Sequence, residues 1–456
     1  MLRSNARVAD GTSAADRLRL NHAKAFAALT TCSVMLAIAL PAHGETLEQA
    51  WAVAVGVDHR LQASRYTTEA TQQALQAARA ARWPNVALQG GYTRLNETPT
   101  AVSSFTPPAP LPPTQLNLEL PLQQPSYYAY KVEVTLPLYT GGRIENGITA
   151  AGSLVGAARN DELRTALDVK LAVAQVYLGS LRAARFVEVA QSNVTSLMSF
   201  ECDVNHLFEQ GIVARSDTLA ARVALADARQ RLIVANNAVD LAHAAYNRLL
   251  GRAFTQPVDL QEVELPADAV DVTALTVRAQ AQRPELKALS DQGAALKAQA
   301  ASVRGALAPQ VALIGGYGRQ QNRYQAHEGI ASIGIGLKWE LFDGGLVRAQ
   351  ADAIAARGNS VASLREEAVS LIALQVRQAW LGTQEAAQRI TVAQAAIDSA
   401  DENLLLARDR YSQGMATQTE VLEAETQRTR SQTNRHAATY DALLAQLQLR
   451  RATGEL

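Results

Sequence analysis

Two periods of hydrophobic spacing alternate along this chain of 456 residues. From Glu45 to Ala81 the apolar positions Leu47, Ala50, Trp51, Leu61, Leu75 and Ala78 recur at helical spacing, and Pro84 ends the run. The period then drops to two. Val86, Leu88 and Tyr92 alternate with Ala87, Gln89 and Thr93; Tyr128, Tyr130, Val132, Val134 and Leu136 alternate with Ala129, Lys131, Glu133 and Thr135. These patterns predict strands over about 84–96 and 126–140. After Gly141-Gly142 the helical period returns without proline, predicting a long helix over 143–208. A second follows over 216–250, with Ser216-Asp217 as its start. Within it Leu225, Leu232, Val239 and Tyr246 lie seven apart, and Ala228, Ala235, Ala242 and Leu249 fill the companion positions. That is a heptad seam whose small residues allow close approach.

The whole pattern is then written again. "LYTGG" at Leu138–Gly142 returns as "LFDGG" at Leu341–Gly345, an offset of 344 − 141 = 203. At the same offset "AQVYLG" meets "RQAWLG", and "LFEQGIVARSDTL" meets "RYSQGMATQTEVL". Upstream, "PNVALQGGY" meets "PQVALIGGY" at 309 − 84 = 225, so the first copy carries about 22 extra residues between Tyr92 and Leu138. They include the Pro-rich run around "PPAPLPP", Pro107–Pro113, expected to sit as an unfolded loop. The second copy has strands expected over about 309–322 and 329–343, with Val311, Leu313 and Tyr317 on one face of the first. Ile333, Ile335, Leu337, Trp339 and Leu341 form one face of the second. Helices are expected over 346–411 and 419–452. The organisation is therefore a first repeat at 45–252, a linker at 253–271 containing Pro257 and Pro266, and a second repeat at 272–456, each opening on one helix.

Strands of about ten residues cross a bilayer when tilted, and apolar/polar alternation with aromatic residues near the ends is the outer-membrane barrel pattern. A half-buried soluble sheet alternates equally well. Residues 1–44 tip the choice toward the membrane: Arg17, Arg19 and Lys24 precede an apolar stretch from Ala25 to Leu40, and Ala42-His43-Gly44 offers small residues for cleavage, the pattern of a signal peptide. Four strands cannot close a membrane barrel, and an open edge is not tolerated in lipid, so several chains must share one. Lysine plus arginine, 43, balance aspartate plus glutamate, 43, so nothing points to nucleic acid. Cys32 and Cys202 provide neither a disulfide framework nor a zinc spacing.

With its duplicated "P-x-V-x-L" strand starts, the strand-to-helix turns "LPLYTGG" and "WELFDGG", and the paired tips "EQGIVARSD" and "YSQGMATQTEVLEA", the chain from Glu45 to Leu456 resembles the TolC-like outer membrane factors. These are the exit ducts of tripartite efflux and type I secretion systems. The resemblance implies a mixed α and β membrane protein: a homotrimer with a 12-stranded barrel in outer membrane lipid, continued by a periplasmic α-helical coiled-coil barrel. It also implies two partners, a periplasmic adaptor (membrane fusion) protein and an inner membrane pump. At the tips it implies acidic selectivity rings at Glu420 and Glu423, three apart and so on one helix face. A latch would involve Tyr411 and Asp217. The family's latch arginine is replaced by Ala416, and Arg215 is the expected substitute. Gly211-Ile212 and Gly414-Met415 match the turns where adaptor hairpins dock, although a glycine there also simply permits the turn.

Enzyme signals are missing. His59, His206, His243, His327 and His436 are scattered without metal-ligand spacing, and "TGGR" and "FDGG" lack a P-loop lysine. No G-x-S-x-G nucleophile motif occurs. The expectation is a passive gated duct without cofactor, metal or catalytic residue, carrying small molecules outward. A protein-secretion duct and a poreless periplasmic coiled-coil scaffold are the alternatives.

Overall fold

The computed structural model describes residues 44–106, 108, 110, 115–264 and 271–456. The expected signal segment up to residue 43, most of the Pro-rich run and linker residues 265–270 lie outside the described residues. The elements in order are α1 (Leu47–Val57), α2 (His59–Ala80), β1 (Asn85–Arg94), β2 (Thr100–Phe105), β3 (Leu116–Pro121), β4 (Ser126–Tyr139), α3 (Arg143–Glu209) and α4 (Arg215–Leu249). They continue with α5 (Val272–Gln282), α6 (Pro284–Arg304), β5 (Gln310–Gln320), β6 (Gly329–Lys338), α7 (Leu346–Ser412) and α8 (Gln418–Thr453). The molecule is mostly helical, with one four-stranded sheet. Helices α3 and α7 each span 67 residues, about 100 Å at 1.5 Å per residue, and their starts are 346 − 143 = 203 residues apart.

The sheet runs β1-β4-β5-β6, all antiparallel, with β1 and β6 as free edges among the described strands. Its register shows how the alternating faces of the four strands line up. Leu88 pairs with Val132, Val132 with Tyr317, Val134 with Gly315, Leu136 with Leu313, and Leu313 with Ile335. Directly paired residues share a face. The apolar sets of all four strands therefore lie together on one side, and Gln89, Lys131, Glu133, Thr135, Ser332 and Lys338 lie on the other. That apolar face is open to solvent at its edges: Leu88 is 73% and Ile333 80% exposed.

Each strand pair turns into its long helix through two left-handed glycines, Gly141-Gly142 and Gly344-Gly345. At Gly141 glycine is required twice over: φ is +61°, and a Cβ would collide with Ala308 and the Gly305 carbonyl. In the sheet-proximal half, α2, α3, α6 and α7 pack in that order; toward the opposite end α4, α3, α8 and α7 do so. Helices α3 and α7 thus run through, while α4 and α8 end against the breaks that follow α1 and α5. Gly251, after α4, packs against Val57, and Gly454, after α8, against Gln282 and Arg283. The main core lies at these breaks, where Leu47, Ala50, Leu61, Val173, Tyr177, Tyr246 and Leu447 are buried together. The heptad seam of α4 faces inward, with Leu225, Ala228 and Tyr246 buried.

Three expectations need correction. The helix over 45–81 is two helices, because Asp58 is extended (φ −66°, ψ 122°) and its carboxylate accepts from the Arg60 and Leu61 amides, starting a new helix. The second half breaks alike at Arg283, which Pro284 forces out of helical conformation. The Pro-rich insert is not simply unfolded, since β2 and β3 flank it as an antiparallel pair, and Asn322 Nδ2 donates to the Leu122 carbonyl at its base (2.9 Å). Finally, β6 stops at Lys338: the Trp339 indole donates instead to the Leu307 carbonyl (3.0 Å), and Leu341 lies outside the strand.

Candidate functional site at the helical tips

The turns joining α3 to α4 and α7 to α8 are built alike. At the first, Gly211 (φ +75°) lets its own amide donate to the Phe208 carbonyl (2.9 Å) and the Ile212 amide to the Leu207 carbonyl (2.9 Å). At the second, Gly414 (φ +73°) does the same toward Tyr411 (3.0 Å), with the Met415 amide reaching Arg410 (2.8 Å). Each pair closes the orphan carbonyls of a helix end. Ile212 and Met415, one residue beyond, are each 59% exposed. The two tips pack on each other through Phe200, Val204, Ala221, Leu404, Tyr411 and Val421.

Beyond the turns the two hairpins diverge. Helix α8 opens with a complete capping box: Thr417 Oγ1 accepts from the Glu420 amide (3.4 Å) and Glu420 Oε1 accepts from the Thr417 amide (3.1 Å). Arg410 stands 3.9 Å from the Glu420 carboxylate. The backbone and side-chain hydrogen bonds from Thr417, with the Arg410 charge, hold the Glu420 pKa below the usual carboxylate value. Glu423 is exposed, with only the Gln427 side-chain amide donating to it (3.3 Å) among the described residues. The two carboxylates share the exposed side of α8, but one is taken up by the cap.

Helix α4 has Ala214 at the position of Thr417 and no side-chain cap. Asp217, which corresponds to Glu420 at 420 − 217 = 203, is therefore released from capping. Its carbonyl accepts from Gln418 Nε2 of the other hairpin (2.7 Å). Tyr411 is buried against Phe200, with ring centroids 5.5 Å apart. Burial first, and then the nearby Asp217 carboxylate, push its phenol up to about 12. The Asp217 oxygens act on the phenol by charge but do not reach hydrogen-bond geometry, so the hydroxyl has no partner among the described residues. Of the residues singled out from the sequence, Tyr411, Asp217 and Glu420 converge with Gln418 and Arg410. Arg215 is exposed and makes no ion pair among the described residues; Gly211, Ile212, Gly414 and Met415 form the outer turns.

Sequence reading missed a second polar group just behind the tips. Glu425 on α8 is 1% exposed and accepts from Arg408 Nη2 of α7 and from the Ser196 hydroxyl of α3. Arg408 Nη2 also reaches the Ser196 carbonyl (3.0 Å). The available signal was spacing: Glu425 lies four residues after buried Val421, on the apolar stripe where a carboxylate needs a partner. Among the described residues no three His, Cys, Asp or Glu side chains group to hold a metal ion, and no helix is long and apolar enough to cross a membrane.

This constellation, an amphipathic four-stranded sheet drawn out into paired helices with glycine-turned tips, is the fold of solved outer-membrane channels. The outer-membrane channel OprN superposes with a TM-score of 0.74 at 19% identity, covering 90% of both chains. The outer membrane protein VceC from Vibrio cholerae gives 0.74 at 17%, covering 90% of this chain and 96% of its own. The open-state MtrE channel from Neisseria gonorrhoeae gives 0.68 at 16%, covering 90% and 88%. In sequence, the alkaline protease secretion protein AprF of Pseudomonas aeruginosa is 25% identical over 293 residues, 62% of this chain. The match spans 61% of AprF, about three fifths of its length. The profile of outer membrane efflux proteins matches residues 54–252 and 275–455. The chain belongs to the outer membrane efflux protein family.

Proposed function

We propose that this chain is the outer membrane duct of a tripartite export system, working as a trimer of an internally duplicated unit. The observation that carries the reading is the sheet. All four strands present their apolar residues to one side, and the other side carries Lys131, Glu133 and Gln89. An isolated four-stranded sheet would leave β1 and β6 unpaired in lipid, where each unsatisfied backbone group costs several kcal/mol. Three copies give 3 × 4 = 12 strands, enough to close a barrel with the polar face inward. The long helices then form the periplasmic wall of the conduit. Their lateral faces carry exposed Val234 and Leu241 on α4, and Leu364, Leu371 and Leu374 on α7, apolar seams suited to neighbouring copies.

At the tip, Glu420 and Glu423 repeated about a threefold axis make two acidic rings that favour cations. Tyr411, packed on Phe200, and Asp217, whose carbonyl accepts from Gln418, hold the hairpins close, with Arg215 free to meet a neighbouring copy. The exposed turns at Gly211-Ile212 and Gly414-Met415 are the docking points for a periplasmic adaptor, which couples the duct to an inner membrane pump. The cargo is small molecules, in line with the efflux family profile. Protein cargo is the second reading, favoured by the likeness to AprF.

The test is electrical. Purified protein in planar bilayers conducts ions, and trivalent cations block the current; Glu420→Ala combined with Glu423→Ala relieves the block. A protein that leaves the outer membrane fraction without detergent and carries no current is a scaffold instead. Sensitivity of a deletion strain to toxic compounds, against loss of a secreted protein, separates the two cargoes.

A further inference from the structure

We infer that the loop end of the sheet's apolar face is a docking surface for a phosphorylated glycolipid of the external leaflet. Its arginines meet the phosphates, its tyrosines the sugar rings, and the strands below them the acyl chains. The inference rests on the duct reading above and adds to it the lipid that the barrel wall selects there. On that face the described strands carry two charged residues, both arginines and both at the same end. Arg94 is the last residue of β1, and Arg319 is the last but one of β5. At the helix end the same face holds Val86, Leu136, Val311 and Leu337, and no charge.

Beside the arginines lies an aromatic platform. The rings of Tyr92 and Tyr128 have centroids 5.0 Å apart, those of Tyr130 and Tyr317 6.3 Å, and all four are exposed. Arg319 is in register with Tyr130 on one side and Gly329 on the other. Gly329 leaves room for the platform, since a Cβ there would collide with the Tyr317 hydroxyl. Tyrosine suits a membrane boundary, its apolar ring toward the chains and its hydroxyl toward water. The arginines are preset. One Glu328 oxygen accepts from Arg319 (2.9 and 3.2 Å), and the other accepts from the Asn322 amide (3.1 Å), which fixes the loop between β5 and β6. On that loop Arg323 lies over the Tyr324 ring, 5.0 Å from its centroid. Among the described residues Arg94 and Arg323 have no carboxylate partner, and Glu97 and Glu119 pair with none of the three arginines.

Closing the barrel spaces the arginines evenly. Where β6 of one copy meets β1 of the next, the order round the wall is β1, β4, β5, β6 and then β1 again. Strands with an arginine on this face therefore alternate with strands that have none. Adjacent strands lie about 4.8 Å apart, which sets successive arginine strands about 10 Å apart. Three copies present 2 × 3 = 6 such guanidiniums in a ring. Guanidinium takes phosphate oxygens in pairs, and basic side chains at a membrane surface draw anionic headgroups. A glycerophospholipid headgroup would use the arginines and leave the tyrosine faces bare. A phosphorylated glycolipid uses both, with its chains along the apolar strands.

Native mass spectrometry of the full trimer in mild detergent, titrated with defined lipids, tests the surface. Diphosphorylated lipid A should bind about tenfold more tightly than either the same lipid stripped of its phosphates or phosphatidylglycerol. Arg94→Gln should weaken lipid A binding about fivefold, and Arg94→Gln with Arg319→Gln about thirtyfold. Tyr128→Leu keeps the arginines and should abolish the preference for lipid A over phosphatidylglycerol. Should the double variant not assemble, Arg94→Gln alone decides, because Arg94 has no ion pair to lose among the described residues. Equal binding of lipid A and phosphatidylglycerol by the wild type, or wild-type affinity in the assembled arginine variants, overturns the docking surface and leaves the duct standing. A wild type that stays monomeric and dissolved without detergent overturns the duct, and the surface with it.

Discussion

The two hairpin tips use one turn and two different caps. Both end their first helix on a left-handed glycine with the same pair of hydrogen bonds. The second tip then has Thr417, which captures Glu420 in a capping box; the first has Ala214, which captures nothing and leaves Asp217 beside Tyr411. One hydroxyl therefore decides whether the acid at the third helical position serves its own helix or faces the other hairpin. The helix breaks repeat the lesson. Asp58 caps the first with its own side chain, whereas at the second Pro284 sets the break and charge holds it. There Arg283 and Arg451 both bind Glu285 (2.8 and 2.9 Å), and Arg451 also binds Asp168 (2.7 Å).

The largest effect should come from that charged break. Burial alone would raise the Glu285 pKa, but hydrogen bonds from Arg283 and Arg451 outweigh it and bring it down to about 2. A depressed carboxylate pKa contributes stability above its unfolded value near 4.5, lost as pH falls toward 2. Glu285→Gln should cost about 3 kcal/mol per chain at neutral pH and flatten the acid limb of stability, read by unfolding of the detergent-solubilised protein from pH 7 to 2. At the first break burial would likewise raise the Asp58 carboxyl, but the Leu61 amide, the Arg60 guanidinium (3.2 Å) and the Arg60 amide outweigh it and hold it below its usual value, with every partner inside its own helix.

Next in size is the cap. Thr417→Ala should destabilise the second tip by about 1 kcal/mol and make it resemble the first, measured as faster amide exchange in the opening turn of α8. The reciprocal Ala214→Thr should gain about 0.5 kcal/mol and draw Asp217 onto the new cap. Ultraviolet titration of the Tyr411 phenol, taken as the difference from Tyr411→Phe, should then show its pKa falling from about 12. An unmoved phenol means that Asp217 does not act on it. The smallest effect belongs to Tyr411→Phe. Its hydroxyl has no bond to lose, so thermal stability should change by no more than ~0.5 kcal/mol.

Much of this architecture is legible in the residue pattern because its periods are long and clean. Alternation from Tyr128 to Leu136 reads directly as β4, and "TGG" and "DGG" mark where strand gives way to helix. The breaks at Asp58 and Arg283 are hidden because apolar spacing continues across them; only a cap and a proline interrupt the backbone. The β2–β3 pair is hidden behind prolines that lie between its strands rather than in their middles. At the tips, the acids at Glu420 and Glu423 are visible as a pair, but the Thr417 cap that divides their roles depends on backbone geometry. Glu425 is harder still, since its partners lie 17 residues away on α7 and 229 away on α3.

The central claim is that strands from separate copies complete one cylinder in lipid. The most direct test joins the free edges. With both native cysteines replaced by serine, Gln89→Cys on β1 and Ser332→Cys on β6 put thiols on the polar face of each edge strand. Treatment of intact outer membranes with short bifunctional thiol reagents should yield a ladder of covalent products that ends at three chains. A product confined to one chain, under reagents of every length, contradicts the account.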